Sequence, residues 1–340
     1  MQRLPLLLIA LVVLLCLAHP ASAGLSAAEK VSVRAGMAGT FHIGAAEKYV
    51  ANAISTGTTS PEARTALADV LEALVLASGD LSHGITVLMG GTARVAGATE
   101  FEALPRDQQM AEGRFHLDRA ASGLAQAKAK VSVAAVFNPD DAVYQDRLRR
   151  ARDIWLAAAI VKLAAVDRSL LYADPAPEPL CSGCTVRTTV GPHGDYYAFQ
   201  HYLWRATHYW RSWAFDAVAL YRAGVSPSAV AGAFSVYVDG IGYQHHAEAL
   251  VAGVGLDAAD DSKDQFCRVL EALALLTDLT NRRTAWTYHV LTTSWAPVRS
   301  TLPLYSDSLI HLSDSWRHSD HAAWMLMIFR NEPQTSRCDS

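Results

Sequence analysis

Apolar positions along the chain recur at intervals of three and four, the signature of amphipathic helices. Leu67, Val70, Leu71, Leu74 and Val75 form one such stripe after Ser60-Pro61-Glu62, with Gly79 as its expected stop. A second run, opened by Asn138-Pro139-Asp140, carries Val143, Leu148, Trp155, Leu163, Val166 and Leu170, with Asp146 and Arg150 spaced as an i,i+4 pair. Asp195 is placed to cap a helix reaching Ala223 and stopping at Gly224. Ser226-Pro227-Ser228 marks a further start, Asp260 or Asp261 another, and Ser306 or Asp307 a last helix ending near Arg330. Period-two alternation is confined to two short candidate strands, Val31 to Arg34 and Thr185 to Val190. The expected fold is all-α: a multi-helix globular protein of helical hairpins packed in one or two blocks, or stacked as a toroid or solenoid.

Faint echoes fit stacked hairpins: Val70-Leu71-Glu72-Ala73-Leu74 returns as Val269-Leu270-Glu271-Ala272-Leu273, and Phe41-His42-Ile43 resembles Phe115-His116-Leu117. Ala173 to Asp195, dense in proline and glycine, reads as a loop. It separates an N-terminal helical block (24–172) from a C-terminal one (196–340). Every tryptophan lies at or after Trp155, so any binding cleft is expected in the later block.

The first 23 residues follow another pattern. Arg3 precedes an uncharged apolar run from Leu6 to Leu17, a break at Pro20, and Ala21-Ser22-Ala23. That is the layout of a cleavable export signal, and the run is short for a membrane span of roughly 20 residues. A secreted or periplasmic protein with no membrane span after cleavage is expected. An oxidising compartment then makes disulfides among Cys181, Cys184, Cys267 and Cys338 the default, with pairing open. The Cys181-x-x-Cys184 pair lies in a proline-rich loop rather than at a helix start, and Thr185 stands where haem attachment needs a histidine. A zinc knuckle would need further ligands such as His193 and Cys267.

Hydrophobic residues make up 51% of the chain, enough for a real core, and the net charge of −4 argues against nucleic acid as a partner. No Gly-x-Ser-x-Gly elbow or phosphate loop occurs, and the glycines from Gly84 to Gly97 read as close helix packing. The cofactor, if any, is unknown from sequence.

Two constellations carry candidate chemistry. In the helix after Asp195, Tyr197, His201, Trp204, His208 and Phe215 share one stripe, and Tyr202, Tyr209, Trp213 and Leu220 another. Apolar groups nearly encircle this helix, which should be central and buried. Tyr197, His201, Trp204 and Trp213 are the candidate ligand wall for a protein or carbohydrate partner. The other constellation consists of carboxylate–histidine pairs: Asp80/His83 and His245/Glu248 at i,i+3, Glu112/His116 and Asp314/His318 at i,i+4. Helical bundles build metal sites from such pairs on facing helices. Because His321 adds a third donor on one helix, Asp314, His318 and His321 are the favoured metal ligands.

His208-Tyr209-Trp210-x-x-Trp213 resembles the aromatic–histidine helix of periplasmic alginate lyases, which are helical toroids. Asp239-Gly240-Ile241-Gly242-Tyr243-Gln244-His245 resembles the turn bearing active-site residues in related polysaccharide lyases. The likeness covers some forty residues, and Ala206-Thr207 stand where that pattern has an asparagine pair. It implies β-elimination on a uronate polymer, with His208 or His245 as base, Tyr209 or Tyr243 as acid, and Arg205 neutralising the carboxylate. Because no catalytic set is complete, the expected function is partner or ligand binding through the aromatic C-terminal block, with uronate lyase and helical metal protein as the alternatives.

Overall fold

The structure, a computed structural model, describes residues 25–55, 60–89, 106–171, 192–254, 265–289, 302–329 and 338. It is 90% helical, with no strand among these residues. The helices are α1 (Ala27–Ile54), α2 (Pro61–Leu88), α3 (Arg106–Ala135), α4 (Ala142–Arg150), α5 (Ala157–Ala164), α6 (Pro192–Arg222), α7 (Pro227–Val251), α8 (Gln265–His289) and α9 (Leu302–Phe329). A π-helical turn, Ala151–Leu156, joins α4 to α5, and a 3₁₀ turn covers Arg168–Leu171.

Local chemistry explains most of the boundaries. Ser26 and Glu29 form a reciprocal capping box that starts α1, so Val31 to Arg34, expected as a strand, is helical. The Ser60 hydroxyl accepts from the Ala63 N–H and Pro61 takes the first helical position of α2, as expected. That helix runs past Gly79 to Leu88, because the packing of its second half outweighs the small propensity cost of one interior glycine. Asn138 does not cap the next helix: Asp141 does, its Oδ1 accepting from the N–H groups of Val143 and Tyr144 at 3.0 Å each. Tyr144 in turn donates to the Ala134 carbonyl, closing the end of α3. The long run expected to Leu170 is continuous from α4 through the π turn into α5 but ends at Ala164, and the Asp146–Arg150 pair forms at 2.7 Å.

Helix α6 begins at Pro192, so Pro192 to Asp195 is helical rather than loop, and Asp195 lies inside the first turn instead of capping. It stops at Gly224, whose φ of +98° suits glycine, and the Val225 N–H returns to the Leu220 carbonyl. Helix α9 starts at Leu302, ahead of Ser306 and Asp307. Residues 1–23, expected as an export signal, together with Thr185 to Val190, Cys181, Cys184 and Asp260-Asp261 lie outside the described residues.

The main core spans the proposed block boundary. Ile43, Leu71, Leu124 and Leu156 from the N-terminal helices join Trp210, Trp213, Phe234 and Tyr237 from α6 and α7. A second, smaller core gathers Phe199 and Leu203 with Leu250, Leu276 and Ala322. Helices α6 and α7 therefore belong to both cores. Arg222, at the end of α6, ties this frame to α2 through Asp69 and Glu72. Cys267 of α8 is bonded to Cys338, which excludes Cys267 as a zinc ligand in this state.

Candidate metal centre

The α2–α3 interface is close because small residues line it. A Cβ on Gly84 would sit 2.5 Å from Leu117 Cδ2, and one on Gly113 would sit 2.9 Å from Val87 Cγ1. Those glycines flank His83 and Glu112. The close approach brings the two carboxylate–histidine pairs of these helices face to face.

The rings of His83 and His116 lie 4.1 Å apart between centroids, tilted by 32°. Glu112 Oε1 is 3.8 Å from Nε2 of both. One donor atom from each of the three residues falls within 4.8 Å of the others, the grouping of this kind among the described residues. Ligands bound at about 2.1 Å in a tetrahedron stand roughly 3.4 Å apart, so Glu112 Oε1 lies only a few tenths of an ångström farther from each Nε2 than a bound set requires. All three side chains keep some exposure, at 12% for His83, 29% for Glu112 and 18% for His116.

Protonation and hydrogen bonding favour ligation. Burial, with His116 and Arg211 nearby, pushes His83 down to about 3, so its imidazole is neutral near pH 7, the form that binds metal. His83 Nε2 and Glu112 Oε2 are buried without a hydrogen-bond partner. Buried polar atoms of this kind are met by an ordered water or an ion, or else hold strain. His116 Nδ1 is 2.7 Å from Asp80 Oδ1, which leaves Nε2 facing Glu112. Asp80 Oδ2 meets Arg119 Nε at 3.3 Å. A carboxylate on the far nitrogen of a ligating histidine is the usual support of a metal site.

The next turn of α2 holds a different polar contact. Ser82 Oγ lies 2.7 Å from His245 Nε2, and His245 Nδ1 lies 3.7 Å from Glu248 Oε2. This resembles a serine–histidine–acid triad in residue types only. The Ser78 carbonyl, also 2.7 Å from Ser82 Oγ, competes for the serine proton, and with the proton there His245 Nε2 is the donor toward Ser82 rather than its base. With Thr86 donating to Glu248, these contacts tie α2 to α7.

The other expected site residues are dispersed. Asp314 pairs with Arg317 at 3.0 Å, His318 is buried between Tyr202 and Tyr209, and His321 is exposed with its ring 6.2 Å from that of His318. Their donor atoms do not form a three-ligand grouping. Burial, then Arg205 and Arg317, pushes His318 down to about 4, and neither ring nitrogen has a hydrogen-bond partner. Trp204 stacks on His208 at 5.6 Å and 14°, whereas Trp213 is fully buried against Trp210. The side chains of Tyr197 and His201 lie outside the described residues.

Of the residues that the lyase likeness would use, Arg205, His208 and Tyr209 follow one another on α6. His245 is turned to α2, and Tyr243 packs under Arg282 of α8 at 5.0 Å. His208 is held below its ordinary value by burial, Arg211, His311 and Arg205. Two groups escaped the sequence reading altogether. Glu47 of α1 is fully buried, and Arg211 of α6 lies against the backbone of α2 at Gly79. A glutamate inside an apolar stripe was the one sign available for the first; the second had none.

No protein-family model, curated protein or solved structure matches the chain.

Proposed function

We propose that this is an exported helical protein that binds one divalent transition-metal ion through His83, Glu112 and His116. The observation that carries the reading is the meeting of three donor atoms from two helices, one histidine already oriented by Asp80. Two imidazoles and one carboxylate suit zinc, and also iron or cobalt, better than calcium or magnesium. Three protein donors in a partly exposed position leave at least one coordination place for water or a ligand, as in sites where the metal takes part in chemistry.

Metal analysis of the purified full-length chain tests it. Zinc or cobalt(II) should bind at one equivalent, and His83→Ala and His116→Ala should each cost at least about tenfold in affinity with helical circular dichroism retained. Sub-stoichiometric binding, or affinity unchanged in both variants, rejects the assignment. Export is tested separately by N-terminal sequencing of the secreted chain, which should begin near Gly24.

A second reading, partner binding through the aromatic C-terminal block, draws on Trp316 and Trp324 of α9, which are 39% and 54% exposed. Replacing both with alanine should abolish partner capture without changing metal content.

A further inference from the structure

Resting on the metal reading, we infer that the open coordination position of the His83–Glu112–His116 centre takes a small oxyanion, the carboxylate or phosphate group of its ligand, steadied by Arg211 and Arg119. Arg211 meets α2 at Gly79. A Cβ there would collide with the guanidinium of Arg211, so this side chain from α6 rests on the α2 backbone one residue before Asp80 and one turn before His83. Arg119 meets Asp80 directly. Asp80 thus serves both His116 and Arg119 with a single negative charge.

The charge balance follows. Asp80 and Glu112 offset Arg119 and Arg211, and ligating imidazoles are neutral. A divalent ion would leave this partly buried cluster at about +2, and among the described residues no carboxylate but Asp80 forms an ion pair with either arginine. An uncompensated charge of that size in a partly buried site is costly, and a bound anion removes the cost. Guanidinium forks match the geometry of carboxylate and phosphate oxygens, which favours oxyanions over halides.

The test uses the full-length chain loaded with cobalt(II), whose visible spectrum reports its coordination shell. Acetate and phosphate are titrated as separate probes, with chloride for comparison. Either oxyanion should shift the spectrum saturably, at concentrations about tenfold or more below those at which chloride acts, and the stronger of the two identifies the headgroup. Arg211→Met and, as a more exposed second variant, Arg119→Gln should each weaken that shift by about tenfold or more with cobalt(II) still bound at one equivalent. A wild-type spectrum indifferent to both oxyanions, or an equal response in both variants, overturns the inference and leaves the metal site intact. Failure of cobalt(II) to bind overturns both.

Discussion

His116 Nδ1 and Asp80 Oδ1 lie 2.7 Å apart across the α2–α3 interface, and this contact fixes which nitrogen of His116 faces Glu112. An imidazole held this way keeps Nε2 for the ion, so the contact contributes to affinity without touching the metal. Asp80→Asn should keep the helical fold and lower zinc or cobalt(II) affinity by about 10- to 100-fold, read by competition with a chromogenic chelator. Equal affinity in wild type and variant would show that Asp80 supports only the helix interface.

Glu47 gives the molecule a pH dependence unrelated to metal. Burial pushes its carboxyl up to about 8, from 4.5 for a free side chain, and its Oε1 has no hydrogen-bond partner. The folded state therefore holds this proton more tightly than the unfolded chain. Its contribution to stability is fully present below pH 4.5 and is lost as the pH rises to about 8, at no more than about 1.4 kcal/mol per pH unit. Glu47→Gln should flatten that part of the stability profile, measured by urea unfolding at a series of pH values. A variant as pH-sensitive as the wild type would assign the dependence to other groups.

Close packing at Gly84 is open to direct challenge. Alanine there gains about 1 kcal/mol in helix propensity, but its Cβ would meet Leu117 Cδ2 at 2.5 Å and the Gly113 carbonyl oxygen at 3.3 Å. Overpacking of this kind costs about 1–3 kcal/mol. Gly84→Ala should lower the melting temperature and, by spreading α2 from α3, weaken metal binding as well. A more stable variant with unchanged metal affinity would mean that the interface yields at no cost to the site.

The Cys267–Cys338 bond closes a long loop, since its ends are 71 residues apart. Loop-closure entropy places its contribution at about 4 kcal/mol at most, and less if the reduced chain keeps residual structure. Reduction, or Cys267→Ser, should destabilise α8 and α9 more than the α2–α3 pair. Hydrogen exchange would show this as faster exchange confined to the C-terminal helices, while uniform loss of protection would indicate one cooperative unit.

Helical class was legible in the chain because apolar spacing and capping residues act over a few positions: Ser60-Pro61 starts α2 and Gly224 stops α6 as their chemistry requires. Local rules erred where packing competes with them. Gly79 reads as a helix end but is an interior seat for Arg211, and Asn138-Pro139 yields to Asp141, whose oxygen reaches two N–H groups at once.

The candidate site divides along the same line. Both carboxylate–histidine pairs, Asp80/His83 and Glu112/His116, stand in the sequence at helical spacing, as do His245/Glu248 and Asp314/His318. Spacing says which side chains share one helix face, since helical geometry is local. It carries no information on which face meets which, because that depends on how glycines and branched side chains let helices approach. Only the tertiary structure set His83 against His116, sent His245 to Ser82, buried His318 between two tyrosines, and brought Arg211 from a distant helix to the backbone at Gly79.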